Sequence, residues 1–274
     1  MLTPSNLSES NHTESISPLP SALILAAGRG SRLGSLTDTT PKGLVSYEGS
    51  PIVVRSLNSL AAAGITDVAI VTGYCADRFA ELDKPCIYNA DHATTNMVAS
   101  FFCAKERFTR DIIVSYGDII YNPAIVTNLI RTPGDIVVTI DVGWYSLWKE
   151  RMDDVLSDAE TLVLDGSGAI YSLGERARTI EEIAGQYIGL IKFSHGALLT
   201  LGELWDGLDT EFVFRGRKKH QLYFTDLIQL AIDAGHRVEV LQINGGWMEF
   251  DTPSDLLLAD RTGRVEFPHE AQQR

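Results

Sequence analysis

Cysteine is scarce in this chain. The three present, Cys75, Cys86 and Cys103, are an odd number without CxxC spacing. That excludes a disulfide framework and a cysteine zinc site, and it reads them as small buried apolar residues in a reducing compartment. No apolar run reaches the roughly 18 to 20 residues that a membrane span requires. Met1–Pro20 has neither the basic start nor the apolar core of a signal peptide. The expectation is a cytoplasmic protein with no membrane contact. Positive charge is also in deficit, with 23 Lys and Arg against 36 Asp and Glu and a net charge of −13. Such a surface disfavours non-specific binding to nucleic acid. The six histidines show no metal-ligand spacing. If the substrates are phosphates, the cations they need must be gathered locally, and Arg29, Arg32 and Lys42 stand close together in sequence.

Residues 1–20, rich in Ser, Asn and Pro, read as a disordered tail, and residues 261–274 as a frayed one. Between them, 21–260 reads as a single domain. SALILAA, VAIVTG, DIIVSYGD and DIVVTID have the continuous apolar character of strands buried on both faces. Helical segments alternate with them: one from Ser50 as N-cap, with Pro51 at the first helical position, to Gly64; one near 75–82; one from Asn96 to Arg107. This alternation predicts an α/β fold with a doubly wound, mostly parallel, Rossmann-like sheet. Residues 142–185 differ. TLVLD, the turn Asp165–Gly168 and AIYSLG read as a hairpin inside a small β-rich insertion over the acceptor site, after which GQYIGLIKF rejoins the sheet. The close is helix, strand and helix: TDLIQLAIDAG, HRVEVLQI and TPSDLLLA.

The most specific local pattern is LILAAGRGSRLGSLTDTTPKGLV, residues 23–45. Here a strand runs into a glycine-rich turn with two arginines, followed by Pro41 and Lys42. Glycines admit phosphate oxygens to backbone N–H groups, and the basic side chains supply forks and a point charge. It is neither a dinucleotide fingerprint, since Leu33 takes the sixth position of GxGxxG, nor a Walker A loop. The stretch resembles the N-terminal motif of the sugar-phosphate and phosphocholine nucleotidyltransferase family. Asp118 at the end of IVSYGD and the segment WMEFDT, residues 247–252, resemble that family's two metal-bearing motifs. NADHATTNMVAS resembles the cytidylyltransferase branch, where sugar-specific members carry a Gln/Pro/Gly-rich loop instead.

The resemblance implies an Mg²⁺-dependent cytidylyltransferase. CMP passes from CTP to a small phosphorylated or phosphonylated acceptor of the phosphocholine, aminoethylphosphonate or phosphoglutamine type, and pyrophosphate leaves. A sugar-1-phosphate nucleotidyltransferase and a non-catalytic nucleotide-binding regulator are the alternatives. Arg32 and Lys42 become the transition-state phosphate stabilisers, with Arg29 a third. Ala26, Ala27, Gly28 and Gly30 approach the nucleotide, and Gly73 and Tyr74 border the base. Asn96 and Ser100, one helical turn apart, meet the pyrimidine, with Asn96 as an N-cap the other reading. Asp118 and Asp251 are the Mg²⁺ ligands, and Glu249, on the same strand face as Asp251, is either a third or a surface charge. Glu175 and Arg176 stand where sugar-using relatives grip the acceptor phosphate. Trp247, with Trp144, Tyr145 and Trp148, forms either an acceptor wall around a cationic group or plain core. Acceptor identity and oligomeric state are not legible in the sequence.

Overall fold

The computed structural model describes residues 18–262 and residue 265. The expectations for residues 1–17, 263, 264 and 266–274 lie outside the described residues. Strand β1 (Ser21–Ala26) is buried along its whole length, because it pairs in parallel with β2 (Val68–Thr72) on one side and β4 (Ile112–Tyr116) on the other. Strand β3 (Cys86–Tyr88) continues the parallel set beyond β2. A short strand β5 (Ile119–Tyr121) follows Asp118, and β6 (Ile136–Asp141) returns to the main sheet. Strands β7 (Glu160–Leu164) and β8 (Ile170–Arg176) form the expected hairpin, β9 (Gln186–Phe193) is next, then β10 (Val238–Ile243) and β11 (Trp247–Glu249). The nine-stranded order is β3-β2-β1-β4-β9-β6-β10-β8-β7. Only β9 and β8 run against the other strands of that sheet.

Side chains alternate across the sheet, so Ala22 and Ile24 of β1 face one core while Leu23 and Leu25 face the other. Helices α1 (Ile52–Ala62), α3 (Pro123–Arg131), α4 (Trp144–Arg151) and α7 (Pro253–Thr262) cover the first face. Helices α2 (Met97–Cys103), α5 (His195–Gly207) and α6 (Phe224–Asp233) cover the second. This is the doubly wound α/β arrangement expected from the sequence.

Several local expectations differ. Ser50 and Pro51 sit in a two-residue bridge to Ser46 and Tyr47, so α1 begins at Ile52 without a side-chain cap. The segment after residue 142 opens with a helix, α4, because Trp144, Leu147 and Trp148 bury one helical stripe. Its hairpin does not stand apart: β8 joins the edge of the main sheet at Ile170, opposite Val238. Cys86 and Cys103 are exposed, since one lies on the edge strand and the other closes a short helix.

Candidate active site

Two glycines shape the floor of the site. Gly117 follows β4, donates its N–H to Leu25 O at 2.9 Å, and has no room for a Cβ, which would lie 2.7 Å from Ala26 Cβ. Gly30 holds φ +75°, and a Cβ there would strike the Lys42 stem at 2.6 Å. The turn is therefore glycine because Lys42 must pass beneath it. Thr37 Oγ1 closes the loop by donating to Gly30 O at 3.0 Å.

Asp118 and Asp251 meet through a strand pairing. Strand β11 lies antiparallel to β5, with Glu249 opposite Ile119, and Phe250 N donates to Asp118 O at 3.0 Å. Ser56 and Ser59 of α1 donate to Ile119 O and Tyr121 O at 2.6 Å each, satisfying the outer carbonyls of β5. The ribbon is thus held from both sides. One carboxylate oxygen from each of Asp118, Glu249 and Asp251 lies within 4.8 Å of the others. Asp118 Oδ1 is buried and has no hydrogen-bond partner among the described residues. Three clustered hard oxygen donors with an orphaned buried oxygen fit a divalent cation of the Mg²⁺ kind.

Lys42 Nζ reaches Asp118 Oδ2 at 2.5 Å and also bonds Asp251 Oδ1. Burial pulls its pKa down, but the charges of Asp118 and Asp251 outweigh burial and hold it well above the lysine range. Arg32, largely exposed, pairs with Asp251 at 3.0 Å. Asp251 stays below the usual carboxylate range: burial opposes ionisation, and Lys42 and the arginines prevail. Burial and the neighbouring Asp251 charge raise Glu249 to about 7. Arg29 is turned away onto Asp38 at 3.0 Å.

Arg151, at the end of α4, is a residue the sequence reading missed. Its guanidinium contacts Glu249 at 3.0 Å and Asp255 at 2.8 Å, over the Trp148 ring at 4.9 Å. No local signal marks it, since its partners come from distant segments.

A cavity of about 120 Å³ opens beside these groups. Ala26, Ala27, Gly28, Lys42, Asn96, Ser100 and Asp118 line it, and so do His92, Thr95 and Tyr116, which the sequence did not single out. Asn96 is the N-cap of α2, its Oδ1 accepting from Met97 N at 2.9 Å. Ser100 Oγ accepts from Asn89 Nδ2 at 2.9 Å, so Asn89 braces this wall. Gly73 and Tyr74 do not line the cavity. Gly73 packs against His92 and Ala27 O, and Tyr74 N donates to Ala27 O at 3.0 Å, which makes them supports behind the loop.

Trp247 does not form an acceptor wall. It is 1 % exposed, and Nε1 donates to Asp141 Oδ2 at 2.8 Å. Trp144 and Trp148 are buried as well, and the Trp148 face is taken by Arg151, so the aromatic set is core. Glu175 and Arg176 are exposed on β8, with Glu175 in contact with Arg215 at 3.4 Å and Arg176 opposite Glu160 in register.

The family model of the MobA-like NTP transferase domain matches residues 22–177. CTP:phosphoglutamine cytidylyltransferase of Campylobacter jejuni is 37% identical over 246 residues, covering 86% of this chain and 97% of that protein. 2-Aminoethylphosphonate cytidylyltransferase of Lancefieldella rimae is 35% identical over 90 residues, 31% of this chain and 37% of that one. The solved CTP:phosphocholine cytidylyltransferase of Streptococcus pneumoniae has the same fold. Its TM-score is 0.68 at 19% identity, with 89% of this chain and 99% of that chain covered. No helix among the described residues is long and apolar enough to cross a membrane.

Proposed function

We propose that this chain, a nucleotidyltransferase that belongs to the MobA-like NTP transferase family, moves CMP from CTP to a small acceptor carrying a phosphate or phosphonate and releases pyrophosphate. Nucleotidyltransferases of this kind generally use a divalent metal, and the donor set of Asp118, Glu249 and Asp251 suits Mg²⁺. The observation that carries the reading is that Lys42 and Asp118 line the cavity that the Gly28 turn borders, with Glu249 and Asp251 clustered against Asp118.

The nucleotide lies in the cavity with its base toward Asn96 and Ser100 and its phosphates over the Ala27–Gly28 backbone. Asn96 Oδ1 is engaged as a cap, so its Nδ2 is the group free to donate to a base carbonyl or ring nitrogen. An acceptor oxygen attacks the α-phosphorus in line with the departing pyrophosphate, a reaction that needs positioning and charge neutralisation more than covalent help. A phosphate monoester, with a second pKa of about 6, is already largely ionised near neutral pH and needs no general base. Lys42 and Arg32 meet the charge that develops on the transferring phosphoryl oxygens. Bound Mg²⁺ would add positive charge at the α-phosphate. Arg151 holds Glu249 and, through Asp255, Asp251 in place.

Pyrophosphate release from purified protein tests the reading, with each of CTP, UTP, dTTP, ATP and GTP offered against phosphocholine, phosphonates, phosphoglutamine and sugar-1-phosphates. CTP with a non-sugar acceptor is the expected pair. A preference for UTP or dTTP with a sugar-1-phosphate replaces it with the sugar-nucleotide reaction.

A further inference from the structure

Glu160, the first residue of β7, is a carboxylate in an enclosed place without a cation. It lines a second, smaller cavity of about 10 Å³ with Gly174, Gly185, Gln186, Tyr187 and Thr225. Among the described residues no basic side chain makes an ion pair with it. The nearby arginines are already committed. Arg217 grips Asp226 with two bonds of 2.7 Å, and Arg215 donates to Leu173 O at 2.7 Å and contacts Glu175. Arg176, opposite Glu160 across the β7–β8 pairing, forms no ion pair with it either. Burial raises the Glu160 pKa above the usual range. Arg217 and Arg215 act on this half-buried carboxylate only from a distance, and a carboxylate without an ion pair is well suited to a cation that arrives with a ligand.

Two further acceptors line the same space. Thr225 is 4 % exposed, and its Oγ1 is buried beside the carboxylate, where it favours the charged form. Gln186 Nε2 donates to Tyr187 O at 3.2 Å, which leaves its Oε1 free to accept. The volume suits one water-sized group. A primary ammonium has that size and three donors, matching three acceptors; a trimethylammonium group is far larger.

The cavity adjoins the reaction centre. Tyr187, in its wall, donates from its hydroxyl to the Tyr116 hydroxyl at 3.1 Å, and Tyr116 lines the nucleotide cavity beside Asp118. A molecule spanning the tyrosine pair would have one end at Glu160 and the other near the carboxylate cluster.

We propose that Glu160, with Thr225 and Gln186, receives a primary ammonium group on the acceptor, so that the enzyme selects phosphates or phosphonates that also carry a primary amine. This rests on the cytidylyltransferase reading above and narrows its acceptor class.

The test compares kcat/KM for CMP transfer within matched pairs: phosphoethanolamine against ethyl phosphate, and 2-aminoethylphosphonate against ethylphosphonate. Phosphocholine is the bulky control. The amine should be favoured about tenfold to a hundredfold in each pair, the worth of hydrogen bonds to a charged group. Phosphocholine should be a poorer acceptor than phosphoethanolamine. Glu160→Gln, checked for an unchanged melting temperature, should shrink the amine preference by about tenfold or more, mainly through KM for the amine. Thr225→Val gives a second reading if Glu160→Gln does not fold. Equal use of both members of each pair, an undiminished preference in folded Glu160→Gln, or a preference for phosphocholine would each overturn this proposal while leaving CMP transfer standing. If no acceptor in the wider panel takes CMP, the cytidylyltransferase reading fails and this inference falls with it.

Discussion

Arg151 and Asp255 form an ion pair in which both side chains are almost wholly buried, Nε donating to Oδ1 at 2.8 Å. The other Asp255 oxygen accepts from Asp251 N at 2.9 Å and from Thr252 N and Oγ1 at 2.8 and 3.0 Å. The orientation of Asp251 is therefore set from α7, and the Arg151 guanidinium ties the buried start of α7 to α4, while Arg261 and Glu150 pair at 3.0 Å on the exposed side of the same two helices. Arg151 also neutralises Glu249. One buried cation thus supports two of the three carboxylates of the cluster.

Arg151→Met should destabilise the protein by about 3 to 5 kcal/mol, because it strands buried carboxylates without a counter-charge. Urea unfolding measures this. Arg151→Lys should recover part of the stability but not the two-sided grip on Glu249 and Asp255, so its Mg²⁺ affinity should remain weak. Wild-type stability in Arg151→Met would show that the pair is dispensable.

Asp118→Asn and Asp251→Asn should each lower turnover by roughly 10² to 10³, the usual scale for losing one electrostatic stabiliser at the reacting phosphate. Binding of Mn²⁺, followed by electron paramagnetic resonance in the presence of CTP, should weaken in both. Near-normal turnover at saturating Mg²⁺ would remove that residue from the metal site.

Lys42→Ala should depress kcat more than it raises KM for CTP, since the ammonium acts on charge developed in the transition state. A pure KM effect would make it a ground-state anchor. Unaltered kinetics would leave it only the role of tying Asp118 to Asp251.

Asn96→Ala should narrow the ratio of CTP to UTP use. Losing one buried hydrogen bond to a base edge costs about 1 to 3 kcal/mol, or roughly tenfold to a hundredfold. Loss of the cap should also lower the melting temperature modestly, because Asn96 Oδ1 satisfies the N–H of Met97. An unchanged ratio would place base discrimination elsewhere in the wall.

Trp247→Phe should cost about 1 to 3 kcal/mol of stability and leave KM for every acceptor unchanged. The substitution removes the indole N–H from Asp141 Oδ2 in a fully buried position. Its ring lines neither of the two cavities described above. A selective rise in acceptor KM would return Trp247 to the acceptor site.

The strands and the glycine-rich turn were legible in the sequence because their signals are local. SALILA is apolar at every position since neighbours cover both faces of β1, and Gly30 must be glycine where φ is +75° and Lys42 passes underneath. The sequence by itself therefore determined the doubly wound sheet, the turn, and the residue types of the carboxylate cluster. Tertiary structure decided which groups meet. Asp118 and Asp251 come together through the β5–β11 pairing, and nothing in either segment alone specifies that partner. Trp247 became core instead of cleft because Asp141 turned inward to take its N–H, and Gly73 and Tyr74 stand outside the cavity lining, with Tyr74 N bonded to Ala27 O. Arg151 and Glu160 carried no motif at all. One is important because three carboxylates converge on it, the other because every nearby arginine found a different partner, and both facts exist only once distant strands and helices have packed.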